Sequence, residues 1–383
     1  MRIALVTSHY SPASTPCGVG DYTRRLRAAL AADGHDTLVI TSVRSRATEP
    51  ATFPLADRWG FADLARIARL IRIHHPAAIL MQYTPEHYGY GLAFKLLPLY
   101  LRWTRPAPLV VTTFHTLVGG RWISRIYAVL LAAGSHGVIS THAELTDLLR
   151  RRLPWCQWKL REIPIGANIP APRRDRAAAR RDLRQRLGLG LVAPVLGTFG
   201  FPAPGKGLDT LIPALQYLND SSEVHLVCVG ETRAEDRSYR AGLMALGQRL
   251  GLEKRLHWMG ELSEQDVADT LLGTDAYVVP YDEGASLRRG TLMAGFRIGV
   301  PIITTTPRYP DPSLRPGETL LAVPPRSPAA LATCIRDLLD DSGLQERLRQ
   351  GVAGVGARFD WPAIAAECVA FVEQLRRGSA GPA

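Results

Sequence analysis

Short apolar runs recur along this chain at a nearly even pitch, each followed by a stretch with helical spacing, and the series is run through twice. In the first series Arg2–Thr7, Leu38–Thr41, Ala78–Met81, Leu109–Thr113 and Gly137–Ser140 read as buried strands. Helices are predicted at Asp21–Ala32, where Tyr22, Leu26 and Leu30 share a face and Gly34 stops the run, and at Ala62–Ile73. A Ser-, Pro- and Gly-rich loop occupies 8–20, and Ile163–Ile169 closes this half. Strands alternating with helices at this pitch indicate βαβ units and a parallel sheet, hence an α/β fold.

A stretch dense in Pro, Arg and Ala, Pro170–Arg186, reads as a linker running into a helix at Arg180–Leu187. The second series has strands at Val195–Phe199, Val224–Val229, Leu256–Met259, Ala276–Pro280 and Pro301–Thr304. Its helices fall at Leu208–Leu218, Ser238–Leu250, Ser263–Leu272 and near Arg289–Ile298. The expected division is a first domain over 1–170, a linker and entry helix over 171–190 and a second domain over 191–360. An amphipathic helix over 361–377 is expected to pack back towards the first domain, before a disordered tail at 378–383. Two α/β halves of similar size suggest a cleft between them, with ligands at the carboxyl ends of the sheets.

The 383 residues suffice for two such domains. No apolar run approaches the roughly 20 residues that span a bilayer, and the opening Met-Arg-Ile-Ala-Leu-Val-Thr lacks a secretory core, so a cytoplasmic location is expected. Cys17, Cys156, Cys228, Cys334 and Cys368 are scattered and odd in number, which argues against a disulfide framework or a structural zinc site. Charge is uneven: residues 1–190 hold 27 Lys and Arg against 12 Asp and Glu, a net of +15, and the remainder 19 against 23. The basic half suggests an anionic partner, either a membrane leaflet or a polyanion; basic residues on solvated helices would give the same count.

Gly18-Val19-Gly20 invites a dinucleotide reading that fails, because the loop from Thr7 is too long and Thr23 stands where the third glycine belongs. Gly18 and Gly20 are better read as letting a ligand approach a helix start that favours anions. Gly205-Lys206-Gly207 lies at a strand-to-helix junction, where a lysine reaches a phosphate as a flexible point charge. It lacks the Walker spacing. In Pro280-Tyr281-Asp282-Glu283-Gly284-Ala285-Ser286-Leu287-Arg288-Arg289 a strand ends, an acidic pair and a glycine follow, and a helix begins. Ser286 is expected to cap that helix, whose free amides would hold a diphosphate.

With these segments in order, the chain resembles the family 4 glycosyltransferases, retaining enzymes of the GT-B fold, over nearly its whole length. The match is carried by Pro280, Glu283, Gly284, Ser286, Ala294, Gly299 and Pro301-Ile302-Ile303. It extends to Gly200–Gly207 with Leu208-Asp209-Thr210-Leu211, Thr113-Phe114-His115-Thr116, Pro164-Ile165-Gly166-Ala167 and Phe359-Asp360-Trp361. The resemblance implies two facing Rossmann-like domains with parallel sheets, the donor bound by the second. It implies that Lys206 neutralises a donor diphosphate, with Gly18 and Gly20 approaching the phosphates. Backbone at Gly284, Ala285, Ser286, Leu287 and Arg288 would hold the distal phosphate. Glu283 would bind the donor sugar and His115 would contact it near the reacting carbon, these two forming the catalytic pair. His9, Asp21 and Tyr22 fall on the acceptor side. The donor is a nucleoside-diphosphate sugar, used as substrate with no cofactor and no metal; the acceptor is a sugar-containing molecule.

Two positions depart from the family pattern. Thr291 replaces a glutamate that grips the ribose, and Phe201 replaces an arginine five positions before the lysine. Thr291 would bind a ribose hydroxyl more weakly than a carboxylate does, and Arg288 or Arg289 would supply the missing cation. The departures also open a second reading, a nucleotide- or partner-binding pseudoenzyme without turnover. A third is a peripheral membrane or polyanion-binding protein, for which Tyr88–Trp103 and Arg121–Ala133 mix apolar runs with basic residues as interfacial helices do. Nucleic acid is not expected as a partner, because no aromatic-basic module is present.

Overall fold

A computed structural model describes residues 1–10, 17–88, 91–104, 106–117, 122–218 and 223–379. Part of the 8–20 loop (11–16), Arg121 of the second basic segment and the end of the expected tail (380–383) lie outside the described residues. The chain forms two compact units, one of Met1–Ile165 with Trp361–Ala383, the other of Gly166–Asp360.

The first unit begins with β1 (Arg2–Val6), α1 (Gly18–Ala32), β2 (Asp36–Ser42), β3 (Thr52–Ala56) and α2 (Phe61–His74). It continues through β4 (Ala78–Tyr83), α3 (Pro85–Tyr88), α4 (Ala93–Leu101), β5 (Leu109–Phe114), α5 (Trp122–Gly134), β6 (Gly137–Ser140), α6 (Ala143–Arg152) and β7 (Leu160–Glu162). The strands form one parallel sheet in the order β3-β2-β1-β4-β5-β6-β7. Period-2 alternation sends Ala4 and Val6 into one core with α2, α4 and α5, and Ile3 and Leu5 into another with α1. Both faces are covered, so the central strands β1 and β4 are almost wholly apolar, while the edge strand β7 carries Arg161 and Glu162.

The second unit holds α7 (Arg176–Leu187), β8 (Val195–Phe199), α8 (Leu208–Gln216), β9 (His225–Val229), α9 (Arg237–Arg249) and β10 (Leu256–Gly260). After these come α10 (Glu264–Leu272), β11 (Ala276–Val279), α11 (Gly290–Ile298), β12 (Ile302–Thr305), β13 (Leu321–Val323), α12 (Pro328–Asp340) and α13 (Ser342–Gly356). Its parallel sheet has the order β10-β9-β8-β11-β12-β13. Both orders reverse beside their first strand, the arrangement of a Rossmann-like domain, and the reversal opens a crevice at the carboxyl ends. The helix after the linker starts four residues earlier than its sequence suggests, because the Asp175 carboxylate caps it, accepting from Ala178 N at 2.9 Å.

The last helix, α14 (Trp361–Ser379), packs against α1 in the first unit. It runs through Gly378 and Ser379, which the sequence reading had assigned to the tail. The apolar residues of α4 and α5 that suggested interfacial helices are largely core: Phe94, Leu97, Leu101, Ala128 and Leu131 are buried together. Lys95 is buried as well, donating to the Gly91 carbonyl at 2.7 Å. No helix among the described residues is long and apolar enough to cross a membrane.

Candidate functional site

In the second unit the reversal point lies between β8 and β11. Lys206 follows β8, and Tyr281–Glu283 follow β11. The loop after β8 turns into α8 through Gly207, at φ 75°, where a Cβ would overlap the Pro280 carbonyl oxygen. Only glycine lets these two loops come together. Asp282 N donates to the Gly205 carbonyl at 3.2 Å and ties them further.

Lys206 is half-buried, its ammonium 5.9 Å from the centre of the Tyr281 ring. The Arg289 guanidinium lies over the same ring at 4.7 Å. Burial pushes the Lys206 ammonium down to about 8, and Arg289 and Arg233 push it the same way, with Asp236 opposing. Arg233, in the segment between β9 and α9, stacks its guanidinium 3.8 Å from the centre of the Phe201 ring. The residue standing where an arginine was expected is thus a platform for another arginine. Phe201 and Lys206 line one pocket together with Gly200, Gly230, Trp258 and Tyr281. Three cations gather at the end of the sheet, with Glu283 3.3 Å from Arg289, Glu235 3.9 Å from Arg233 and Asp236 near Lys206, a grouping able to receive an anion.

Glu283 is exposed, and its carboxylate accepts from Arg289 at 3.3 Å. Gly284 turns the chain at φ 88°, with Gly284, Ala285 and Leu287 buried beneath the loop. Ser286 does not cap α11: its hydroxyl accepts from Arg288 N at 3.3 Å, and the cap position is Arg289, with no side-chain cap bond. A local turn has outcompeted the cap. Arg288 N is thereby engaged, and the first-turn amides of Gly290 and Thr291 belong to the helix end that attracts anions. The Arg288 side chain is exposed. Thr291 is buried, sharing a 2.5 Å hydrogen bond with the Tyr281 hydroxyl while its carbonyl accepts from Tyr277 at 2.7 Å. Its hydroxyl holds the Tyr281 ring in place.

In the first unit the corresponding ends are those of β1 and β4. Gly18 is exposed, and a Cβ there would meet nothing within 4 Å. Gly20 has a different reason to be glycine: a Cβ would lie 2.9 Å from the His9 carbonyl oxygen. Asp21 is held by its own helix, accepting from Arg24 at 2.7 Å and Arg25 at 2.9 Å. Tyr22 is 2% exposed, packed edge-on against His115 and Trp361, so it is a core residue and offers no acceptor surface. His115 is buried after β5 and donates Nε2–H to Gln82 Oε1 at 2.9 Å. Burial, reinforced by His87 and His142, pushes its imidazole down to about 3, so it is neutral at ordinary pH and acts through hydrogen bonds. His9 is half-buried near Cys17 and His87.

The sequence reading missed Arg233. Its signal was present in hindsight: an arginine just beyond a strand-ending Gly230, on the strand adjacent to the one that leads to Lys206.

A family model described as Glycosyltransferase Family 4 matches residues 16–169, and one described as Glycosyl transferases group 1 matches residues 193–341. The chain is 27% identical to a D-inositol 3-phosphate glycosyltransferase of Xylanimonas cellulosilytica, covering 95% of this chain and 94% of that protein. It is 26% identical to a phosphatidyl-myo-inositol mannosyltransferase of Mycobacterium leprae, over 70% of this chain and 67% of that protein. Among solved structures, a glycosyltransferase from Rickettsia africae matches with a TM-score of 0.78 at 15% identity, covering 98% of both chains. Anabaena HepE in complex with UDP-glucose matches at 0.65 and 16% identity over all of both chains.

Proposed function

The chain belongs to glycosyltransferase family 4, and from that premise we propose that it moves a sugar from a nucleoside-diphosphate donor to an acceptor hydroxyl with retention of configuration. The observation that carries the reading is the grouping of Arg233 and Arg289 around Lys206 at the carboxyl end of the second sheet, each guanidinium lying over a ring, Phe201 or Tyr281, that lines the same pocket as Lys206. A departing nucleoside diphosphate carries the charge that such a site stabilises, and it gains most as the glycosidic bond breaks. Glu283, at the rim beside Arg289, takes the donor sugar's hydroxyls. The acceptor hydroxyl attacks from the leaving-group face, with the departing phosphate oxygen receiving its proton. No metal is assigned to this step, because side-chain cations and the α11 terminus neutralise the diphosphate. HepE, a structural relative, binds UDP-glucose, which supports a nucleotide-sugar donor here.

Phe201 and Thr291 are accommodated as a rearranged site. Arg233 supplies the cation, Phe201 holds it, and Thr291 fixes Tyr281. The test is isothermal titration with uridine and guanosine diphosphates. Arg233→Ala and Arg289→Ala are each expected to weaken the preferred diphosphate by about tenfold or more, the scale of one charge-assisted hydrogen bond. Unchanged affinity in both variants would sink the rearranged-site reading.

An anionic acceptor or acceptor-bearing surface fits the net +15 of residues 1–190. Both curated relatives are named for inositol-phosphate compounds. Contact with an anionic membrane is favoured by Trp103 and Trp122 of the first unit, 83% and 75% exposed.

A further inference from the structure

Three potential metal ligands from separate parts of the sequence meet at the reversal point of the first sheet. His9 follows β1, Cys17 precedes α1, and His87 lies on α3 just beyond β4. β1 and β4 are hydrogen-bonded neighbours, so their carboxyl ends hold His9 and His87 side by side, with ring centres 4.4 Å apart. One ligand atom from each of the three residues lies within 4.8 Å of the others. Cys17 Sγ is 3.6 Å from His87 Nε2. A tetrahedral zinc ion with Zn–N near 2.05 Å and Zn–S near 2.3 Å sets nitrogen and sulfur about 3.6 Å apart.

The surroundings suit a metal as well. His9 Nδ1 and the Ser8 hydroxyl are 2.7 Å apart, a hydrogen bond that orients the ring and leaves Nε2 to ligate. The His9 backbone is itself clasped, its carbonyl accepting from the Thr7 hydroxyl at 3.0 Å and packing against Gly20. Cys17 occupies the N-cap of α1 without making a side-chain cap bond, so its sulfur is left facing His87. All three side chains are half-buried.

We propose that His9, Cys17 and His87 form a three-ligand zinc site with its fourth position open. A bound ion would join the ends of β1 and β4 to the start of α1, immediately before Gly18. It would also add positive charge where that helix terminus already favours an anion. The scattered, odd-numbered cysteines argue against a structural zinc site built on thiolates; this site uses one cysteine and two histidines, His9 and His87, that only the parallel pairing of β1 with β4 unites.

Cobalt(II) titration of the full-length protein tests this, with the thiolate-to-cobalt charge-transfer band read in the near ultraviolet. The band should saturate at about one ion per chain and be displaced by zinc. It should vanish in Cys17→Ser and persist in Cys334→Ser. His87→Ala should weaken zinc binding at least about tenfold, the least that loss of even a supporting partner costs. Zinc should raise the melting temperature of the native protein and not that of Cys17→Ser, with circular dichroism confirming that the variant folds. A native protein that shows no band, or a band that survives Cys17→Ser, would overturn the site. Because metal binding is the readout, the outcome is independent of whether sugar transfer is detected.

Discussion

At the scale of single residues, the site depends on how Lys206 is held. Its ammonium is pushed down to about 8 by burial and by two neighbouring guanidinium groups. A diphosphate binds the charged form and raises that value on binding. Affinity should therefore be full below about pH 7 and fall as pH rises through 8 in the free protein. Titrating the diphosphate across pH 6.5–9.5 checks this, and Lys206→Ala should flatten the dependence as it weakens binding. Phe201→Ala should mimic a milder Arg233→Ala by removing the stacking surface, a loss of about 1 kcal/mol in diphosphate affinity. The place of Lys206 was legible in the sequence, because two glycines flank it at a strand-to-helix junction, and the structure sets it half-buried in the lining of a pocket. Arg233 was marked only weakly, as an arginine beyond Gly230, because its partner ring Phe201 is on a neighbouring strand's loop. The burial of Tyr22 was legible in the face it shares with Leu26 and Leu30, whereas that of Thr291 was hidden because its partner, the Tyr281 hydroxyl, is met only in the fold.

Among the elements, α7 is the clearest case of a linker drawn into a domain. Arg184 is fully buried and donates to Asp275 at 2.7 Å, to the Gly273 carbonyl at 2.9 Å and to the Ala193 carbonyl at 3.0 Å. The same Asp275 oxygen accepts from Val195 N at 2.8 Å, and Arg180 pairs with the other oxygen. Asp275→Ala would strand the buried Arg184 and should destabilise the second unit by about 3–5 kcal/mol, read from denaturant unfolding. The main strands were legible from their apolar runs. β3 was overlooked because Pro54 interrupts it, which an edge strand bonded to β2 alone tolerates. β13 spans only Leu321–Val323, too few residues to show a period, and α12 and α13 follow it without motif residues to draw attention.

For the whole molecule, the cations of the proposed donor site and Glu283 all belong to the second unit, while His115 belongs to the first. A fragment spanning 166–360 should therefore retain diphosphate affinity within about threefold and lose transfer, with titration and product analysis as the two readouts. The basic first unit should bring the protein down with vesicles of anionic lipid at low salt and release it at high salt, as screening shortens electrostatic reach. The central question is whether the rearranged cation cluster supports turnover. It is met most directly by incubating native protein and Lys206→Ala with a panel of nucleotide sugars and following the products by mass spectrometry. Native protein should consume one class of nucleotide sugar, releasing its nucleoside diphosphate, at a rate at least about 100-fold above the variant. Tight diphosphate binding with no nucleotide sugar consumed, or equal consumption by the two proteins, would contradict a working donor site built on Lys206.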